Sequence, residues 1–163
     1  MIPSLKKNEK KIIVLIASIG ICMSAGIIGS IFTSQSVDSW YKAINKPEIT
    51  PPNWIFAPVW TLLYIMMGIS LFFVWTSQRT ARKTIALIIF FLQLILNMLW
   101  SAIFFGLQDV FLALVDIVLL WTGIFFTILA FRRVSNIAAY LLVPYILWVS
   151  FATFLNYLIF IMN

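Results

Sequence analysis

The run from Ile12 to Thr33 reads I-I-V-L-I-A-S-I-G-I-C-M-S-A-G-I-I-G-S-I-F-T, 22 residues without a charge. A helix crossing the hydrocarbon core of a bilayer needs about 20 such residues. Four more long apolar runs follow, Trp54–Ser77, Thr84–Phe105, Val110–Phe131 and Ile137–Met162, with Asp116 the one charge among them. Together with their connectors they use the 163 residues, so the expected architecture is a single all-α membrane domain of five helices. The first run is longer than the ~7–15 apolar residues of a signal peptide and lacks an A-x-A site, so it reads as a retained helix. Composition agrees: 63% of residues are hydrophobic and 10% are charged, whereas soluble domains carry roughly 25% charged residues.

Histidine is absent and Cys22 is the single cysteine. This excludes the usual zinc sites, a His-ligated haem, an intramolecular disulfide and a Ser-His-Asp hydrolase. No cofactor is required by any motif. The net charge of +6 is a topology signal rather than a nucleic-acid one. Lys6, Lys7, Lys10, Lys11, Arg79, Arg82, Lys83, Arg132 and Arg133 all fall on one side of a five-span chain. The other side has only Lys42 and Lys46, offset by Asp38 and Glu48. The positive-inside rule then predicts the N-terminus inside, with the first loop and the C-terminus outside.

The first connector, about residues 34–53, is the long one. Long loops in compact proteins are usually functional or disordered. This one holds Trp40, Tyr41, Pro47, Pro51 and Pro52. Prolines restrict the unbound loop, and aromatics give it something to pack with. It reads as an ordered lid over the bundle, with a short helix in Val37–Ile44 capped by Ser36. The plainer alternative is an interfacial anchor, since Trp and Tyr favour the headgroup zone. On the first helix, Ser18, Cys22, Gly26 and Ser30 form a stripe of small residues, expected to pack within the bundle.

Polar residues inside membrane spans are functional suspects. Here they share faces. Gln93, Asn97, Trp100 and Phe104 lie on one stripe of the third helix, and Asp109, Leu112 and Asp116 on one of the fourth. Tyr145, Trp148, Ala152 and Asn156 do the same on the fifth, and Trp60, Tyr64 and Met67 on the second. At 1.5 Å per residue, Trp60, Asn97, Trp100, Asp116 and Asn156 sit about 8–12 Å from their loop-side helix ends. Four helices therefore aim polar and aromatic groups at one level beneath the first connector, as an amphipathic pocket requires. Gln93 and Asn97 either contact a ligand or tie helices together. Asp116 needs either a raised pKa or a partner, for which Asn97, a lid N–H and the Trp60 indole are candidates. Trp60, Trp100 and Trp148 suit stacking on a planar aromatic ligand.

These residues carry a family resemblance. Trp40–Tyr64 reads W-Y-K-A-I-N-K-P-E-I-T-P-P-N-W-I-F-A-P-V-W-T-L-L-Y. Gln93–Phe105 reads Q-L-I-L-N-M-L-W-S-A-I-F-F, Ala113–Trp121 reads A-L-V-D-I-V-L-L-W, and Pro144–Asn156 reads P-Y-I-L-W-V-S-F-A-T-F-L-N. The chain after about residue 20 resembles the TspO/translocator protein family, the tryptophan-rich sensory proteins. The resemblance implies a five-helix fold, usually dimeric. It also implies a pocket under the first loop for tetrapyrroles such as protoporphyrin IX and for isoquinoline-carboxamide compounds. The matching positions are Pro51, Pro52, Trp60, Asn97, Trp100, Asp116, Trp148 and Ala152. In bacterial members, tryptophans matching Trp60 and Trp148 are associated with light- and oxygen-dependent porphyrin breakdown, which makes these two the candidate catalytic residues. Two positions depart from the animal pattern. Leu112 stands where mammalian members have Trp, and no Lys or Arg follows Leu155-Asn156-Tyr157, where a sterol-recognition motif needs one.

Three functions follow from these features. The leading one is a membrane receptor or regulator that binds free tetrapyrrole, in a bacterial cytoplasmic membrane. The alternatives are a photo-oxidative porphyrin-degrading enzyme and, on weaker grounds, a porphyrin or sterol transporter, since no internal repeat is visible.

Overall fold

A computed structural model describes residues 7–163, so Lys6 of the N-terminal basic group lies outside the described residues. The described chain is helical, without strands. Helix α1 spans Lys7–Ser36, α2 Trp40–Ala43, α3 Asn53–Trp75 and α4 Ala81–Ser101. A π-helical stretch, Ala102–Leu107, continues α4. Then come α5 at Val110–Arg132, α6 at Asn136–Leu141 and α7 at Val143–Met162. Five helical units are long and apolar enough to cross a membrane: α1, α3, α4 with its π stretch, α5, and α6 with α7. The chain is a five-helix membrane bundle, as its hydropathy predicts.

Side chains set the helix ends. Thr80 Oγ1 accepts from Lys83 N, Asp109 Oδ1 from Leu112 N and Ser135 Oγ from Ala138 N, each capping the helix that follows. The fifth span is interrupted at Leu142. Pro144 just beyond it lacks the N–H that a continuous helix would use there. Ser70 on α3 ties this break in place by donating to the Ala138 carbonyl at 2.7 Å.

Helices α1 and α3 pack almost backbone to backbone at one end. A Cβ at Gly68 would lie 2.5 Å from Ile19 Cα. Of the small stripe on α1, Ser18 and Cys22 are buried in this contact region, while Ser30 is exposed. Gly26 meets the Tyr64 ring of α3, so the stripe is bundle packing over three of its four residues, and Ser30 alone is turned outward. The core runs through Met67, Leu71, Phe90, Ile117, Leu120, Ile124, Phe131 and Tyr145. Phe90 and Phe131 stack at 5.4 Å within it.

A candidate ligand site beneath the first loop

The lid is built from both of its roots. Ser36 does not cap the short helix as expected. Its hydroxyl donates to the Phe105 carbonyl at 2.7 Å, and α2 begins after Ser39 without a side-chain cap. The wider turn of the π stretch lets Trp100 reach two phenylalanines: Phe104, stacked at 5.1 Å, and Phe105, edge-on at 6.1 Å. Gln108, left-handed at φ 58°, ends that stretch. Tyr41 of the lid wedges against the same pair, 6.1 Å from Phe104 and 5.5 Å from Phe105, while Trp40 meets Phe104 edge-on. Burial among these rings raises the Tyr41 hydroxyl above its usual pKa, because the phenolate would lose hydration.

The Lys46 ammonium donates to the Tyr41 carbonyl and, at 3.3 Å, to that of Ile44, closing the end of α2. It also lies 4.7 Å over the Tyr41 ring. The far part of the lid is clasped to the end of α7. Asn45 N donates to Asn163 Oδ1 at 3.0 Å, Asn163 Nδ2 donates to Asn45 O at 3.0 Å, and Asn45 Nδ2 donates to Met162 O at 3.2 Å. Three prolines in the lid and these bonds together make it an ordered cover rather than a loose anchor.

Beneath the lid lies a cavity of about 610 Å³, within the ~300–1,000 Å³ usual for small-molecule sites. Of the predicted site residues, Trp60, Tyr64, Asn97, Trp100, Phe104, Trp148, Ala152 and Asn156 line it. Pro51, Pro52, Gln93 and Asp116 do not. The prolines lead into α3. Gln93 lies deeper, in the polar ladder below the cavity. The Tyr64 hydroxyl donates to Asn97 Oδ1 at 2.5 Å, Asn97 Nδ2 to the Tyr145 hydroxyl at 2.9 Å, and that hydroxyl to Gln93 Oε1 at 3.0 Å. A second bridge runs from Trp100 Nε1 to Asn156 Oδ1 at 3.0 Å and from Asn156 Nδ2 to the Val110 carbonyl at 3.0 Å.

The fourth-helix stripe is only partly inward. Asp109 caps α5, Leu112 is exposed, and Asp116 is buried. Asp116 does not obtain the Asn97 amide, which is committed to the two tyrosines. Among the described residues, three buried side-chain polar atoms lack a hydrogen-bond partner: Gln93 Nε2, Asp116 Oδ2 and Trp148 Nε1. Only Trp148 of these three residues borders the cavity. Its ring meets Phe56 edge-on at 5.9 Å, while Trp60 stacks on Tyr64 at 5.7 Å and meets Tyr145 edge-on at 6.3 Å.

Sequence reasoning missed one wall. Met23, Gly26, Ile27, Gly29, Ser30 and Thr33 of α1 all border the cavity. Over this length the helix carries no amide, and its one aromatic, Phe32, does not border the cavity; only its small residues mark the face.

The sequence profile of the TspO/MBR family matches residues 18–162. The chain belongs to the TspO/MBR family. Among TspO/MBR relatives, the tryptophan-rich protein TspO of Chlorobaculum tepidum is 47% identical over 95% of this chain and 99% of its own length. A protein of the same name from Archaeoglobus fulgidus is 44% identical over 93% of this chain and 98% of its own. The human translocator protein is 39% identical over 80% of this chain and 78% of its own. TspO/MBR membership and the five apolar helices together establish an integral membrane protein, with the lipid bilayer as its surroundings.

Proposed function

We propose that this TspO/MBR protein is a membrane receptor or regulator that binds a tetrapyrrole, protoporphyrin IX or a close analogue, in the cavity under the first loop. The observation that carries the reading is the cavity itself: about 610 Å³, walled by Trp60, Trp100 and Trp148, with the buried Trp148 Nε1 lacking a partner in the protein. Flat indole faces suit a planar macrocycle, and an unpaired donor suits a carbonyl or carboxylate on its rim. Isoquinoline-carboxamide compounds offer the same combination of flat ring and acceptor. No resident cofactor enters this reading; the tetrapyrrole is the ligand. The eight basic residues Lys7, Lys10, Lys11, Arg79, Arg82, Lys83, Arg132 and Arg133, on helix ends and connectors away from the lid, support a bacterial inner-membrane orientation with the lid and C-terminus outside. A homodimer belongs to the same reading, with exposed aliphatic faces such as Ile85, Ile88, Leu92 and Ile95 available to lipid or a second copy.

The test is a dark titration of the solubilised protein with protoporphyrin IX, followed by tryptophan fluorescence, beside the Trp60→Phe/Trp148→Phe double variant. Saturable quenching that weakens in the variant is expected. Non-saturable quenching, equal in both, would indicate partition into the micelle and overturn the reading. Illumination of the loaded protein in air then separates receptor from enzyme. Loss of porphyrin that requires Trp60 and Trp148 while binding persists would favour photo-oxidative degradation.

A further inference from the structure

The roof of the cavity is fastened, and one of its walls is split. Tyr41 is wedged between Phe104 and Phe105, Ser36 is bonded to the Phe105 carbonyl, and Asn45 is clasped by Asn163 and Met162. Lifting the lid would break all of these together.

The wall between α1 and α3 is different. The two helices touch closely at Ile19 and Gly68, and again where Gly26 meets the Tyr64 ring. Beyond that point, toward the loop, both helices contribute residues that border the cavity and are exposed at the same time. On α1 these are Ile27, 60% exposed, and Ser30; on α3 they are Thr61, Ala57 and Trp54, the last 74% exposed. A residue that borders an internal cavity and faces outward lies at an opening. This opening runs along transmembrane helices, so it faces acyl chains over most of its length and reaches the headgroup level only at Asp38 and Asn53, the roots of the lid. Its rim along the helices is uncharged, with the hydroxyls of Ser30 and Thr61 turned back on their own helix carbonyls at 2.7 and 2.8 Å. Nothing charged obstructs it along α1 and α3.

We infer that the ligand enters and leaves sideways, from the lipid, through this slot between the loop-side halves of α1 and α3, while the first loop stays in place as a fixed roof. The inference rests on the proposal that the cavity holds a tetrapyrrole, a flat and largely apolar macrocycle with polar groups only on its rim. Such a molecule partitions into the bilayer first, and the slot is the direct route from there.

The test uses the full chain in phospholipid nanodiscs, with protoporphyrin IX delivered from vesicles in the dark and stopped-flow tryptophan quenching as the readout. The pair Ser30→Cys/Ala57→Cys is bridged across the slot with a reductant-cleavable bis-methanethiosulfonate linker; native Cys22 is fully buried and does not compete. Bridging is expected to slow association by about tenfold or more, with recovery on cleavage, which excludes misfolding as the cause. The clasp variant Asn45→Gly/Asn163→Ala is expected to change the rate by less than about twofold. A bridged protein that binds at the unbridged rate, or a clasp variant about tenfold faster than the parent, would place entry under the lid and overturn the inference. Absence of saturable quenching in the unbridged protein would overturn the tetrapyrrole reading, and the portal with it.

Discussion

The Tyr64 hydroxyl donates to Asn97 Oδ1 at 2.5 Å, joining α3 to α4 at the floor of the cavity. The other end of the same amide donates to the Tyr145 hydroxyl, so one side chain links three spans. Where lipid cannot solvate a polar group, such a link holds the floor in place beneath any ligand above it.

Asn97→Ala would strand the Tyr64 hydroxyl and take from the Tyr145 hydroxyl the donor it accepts from, leaving that hydroxyl its bond to Gln93 Oε1. We expect a loss of about 1–3 kcal/mol, against about 0.5–1.5 kcal/mol for Tyr64→Phe, which breaks one bond of the ladder where Asn97→Ala breaks two. Unfolding in mixed detergent micelles measures both. Equal losses would mean that the Tyr145–Gln93 arm of the ladder does not depend on Asn97.

Two glycines on the α1–α3 pair should behave oppositely. A Cβ at Gly68 meets the Ile19 backbone, which cannot swing aside, so Gly68→Ala should cost about 1–3 kcal/mol. A Cβ at Gly20 meets nothing within 4 Å, so Gly20→Ala should be neutral or stabilising by about 0.4–1 kcal/mol. The same unfolding assay reads both signs.

Trp100 and Trp148 both border the cavity, yet their indole donors differ. Trp100→Phe removes the donor to Asn156 Oδ1 and should cost about 1 kcal/mol or more. Trp148→Phe removes a donor that has no partner, so stability should change by less than about 0.5 kcal/mol while protoporphyrin affinity falls. A large stability loss for Trp148→Phe with unchanged affinity would assign it to packing alone.

The lid should loosen in alkali. Burial raises the Tyr41 pKa above its unfolded value near 10. The folded state thus retains the proton longer, and stability rises toward lower pH. The contribution is complete below about pH 10 and is lost as pH climbs through the raised value. Hydrogen exchange across residues 37–46 between pH 9 and 11 should show this, and Tyr41→Phe should flatten the part of the dependence that Tyr41 causes.

The spans were legible because bilayer thickness imposes a length on apolar runs, and that length survives in one dimension. The inward faces of three helices were legible for a similar reason: amides and indoles inside a span are costly, so Trp60 on α3, Asn97 and Trp100 on α4, and Trp148 and Asn156 on α7 mark their own stripes. The first helix was opaque because glycine, serine and isoleucine serve equally for packing, for lining a cavity and for facing lipid. Asp109 and Asp116 share a periodicity, but one caps a helix and the other is buried. Residue type and spacing do not distinguish these roles; the neighbours do. The π stretch, the break at Leu142, the clasp between Asn45 and Asn163 and the divergence of α1 from α3 all depend on partners distant in the chain. Hydropathy and helical period are local properties, whereas which carbonyl Ser36 meets, and where two helices part, is decided only when the bundle closes.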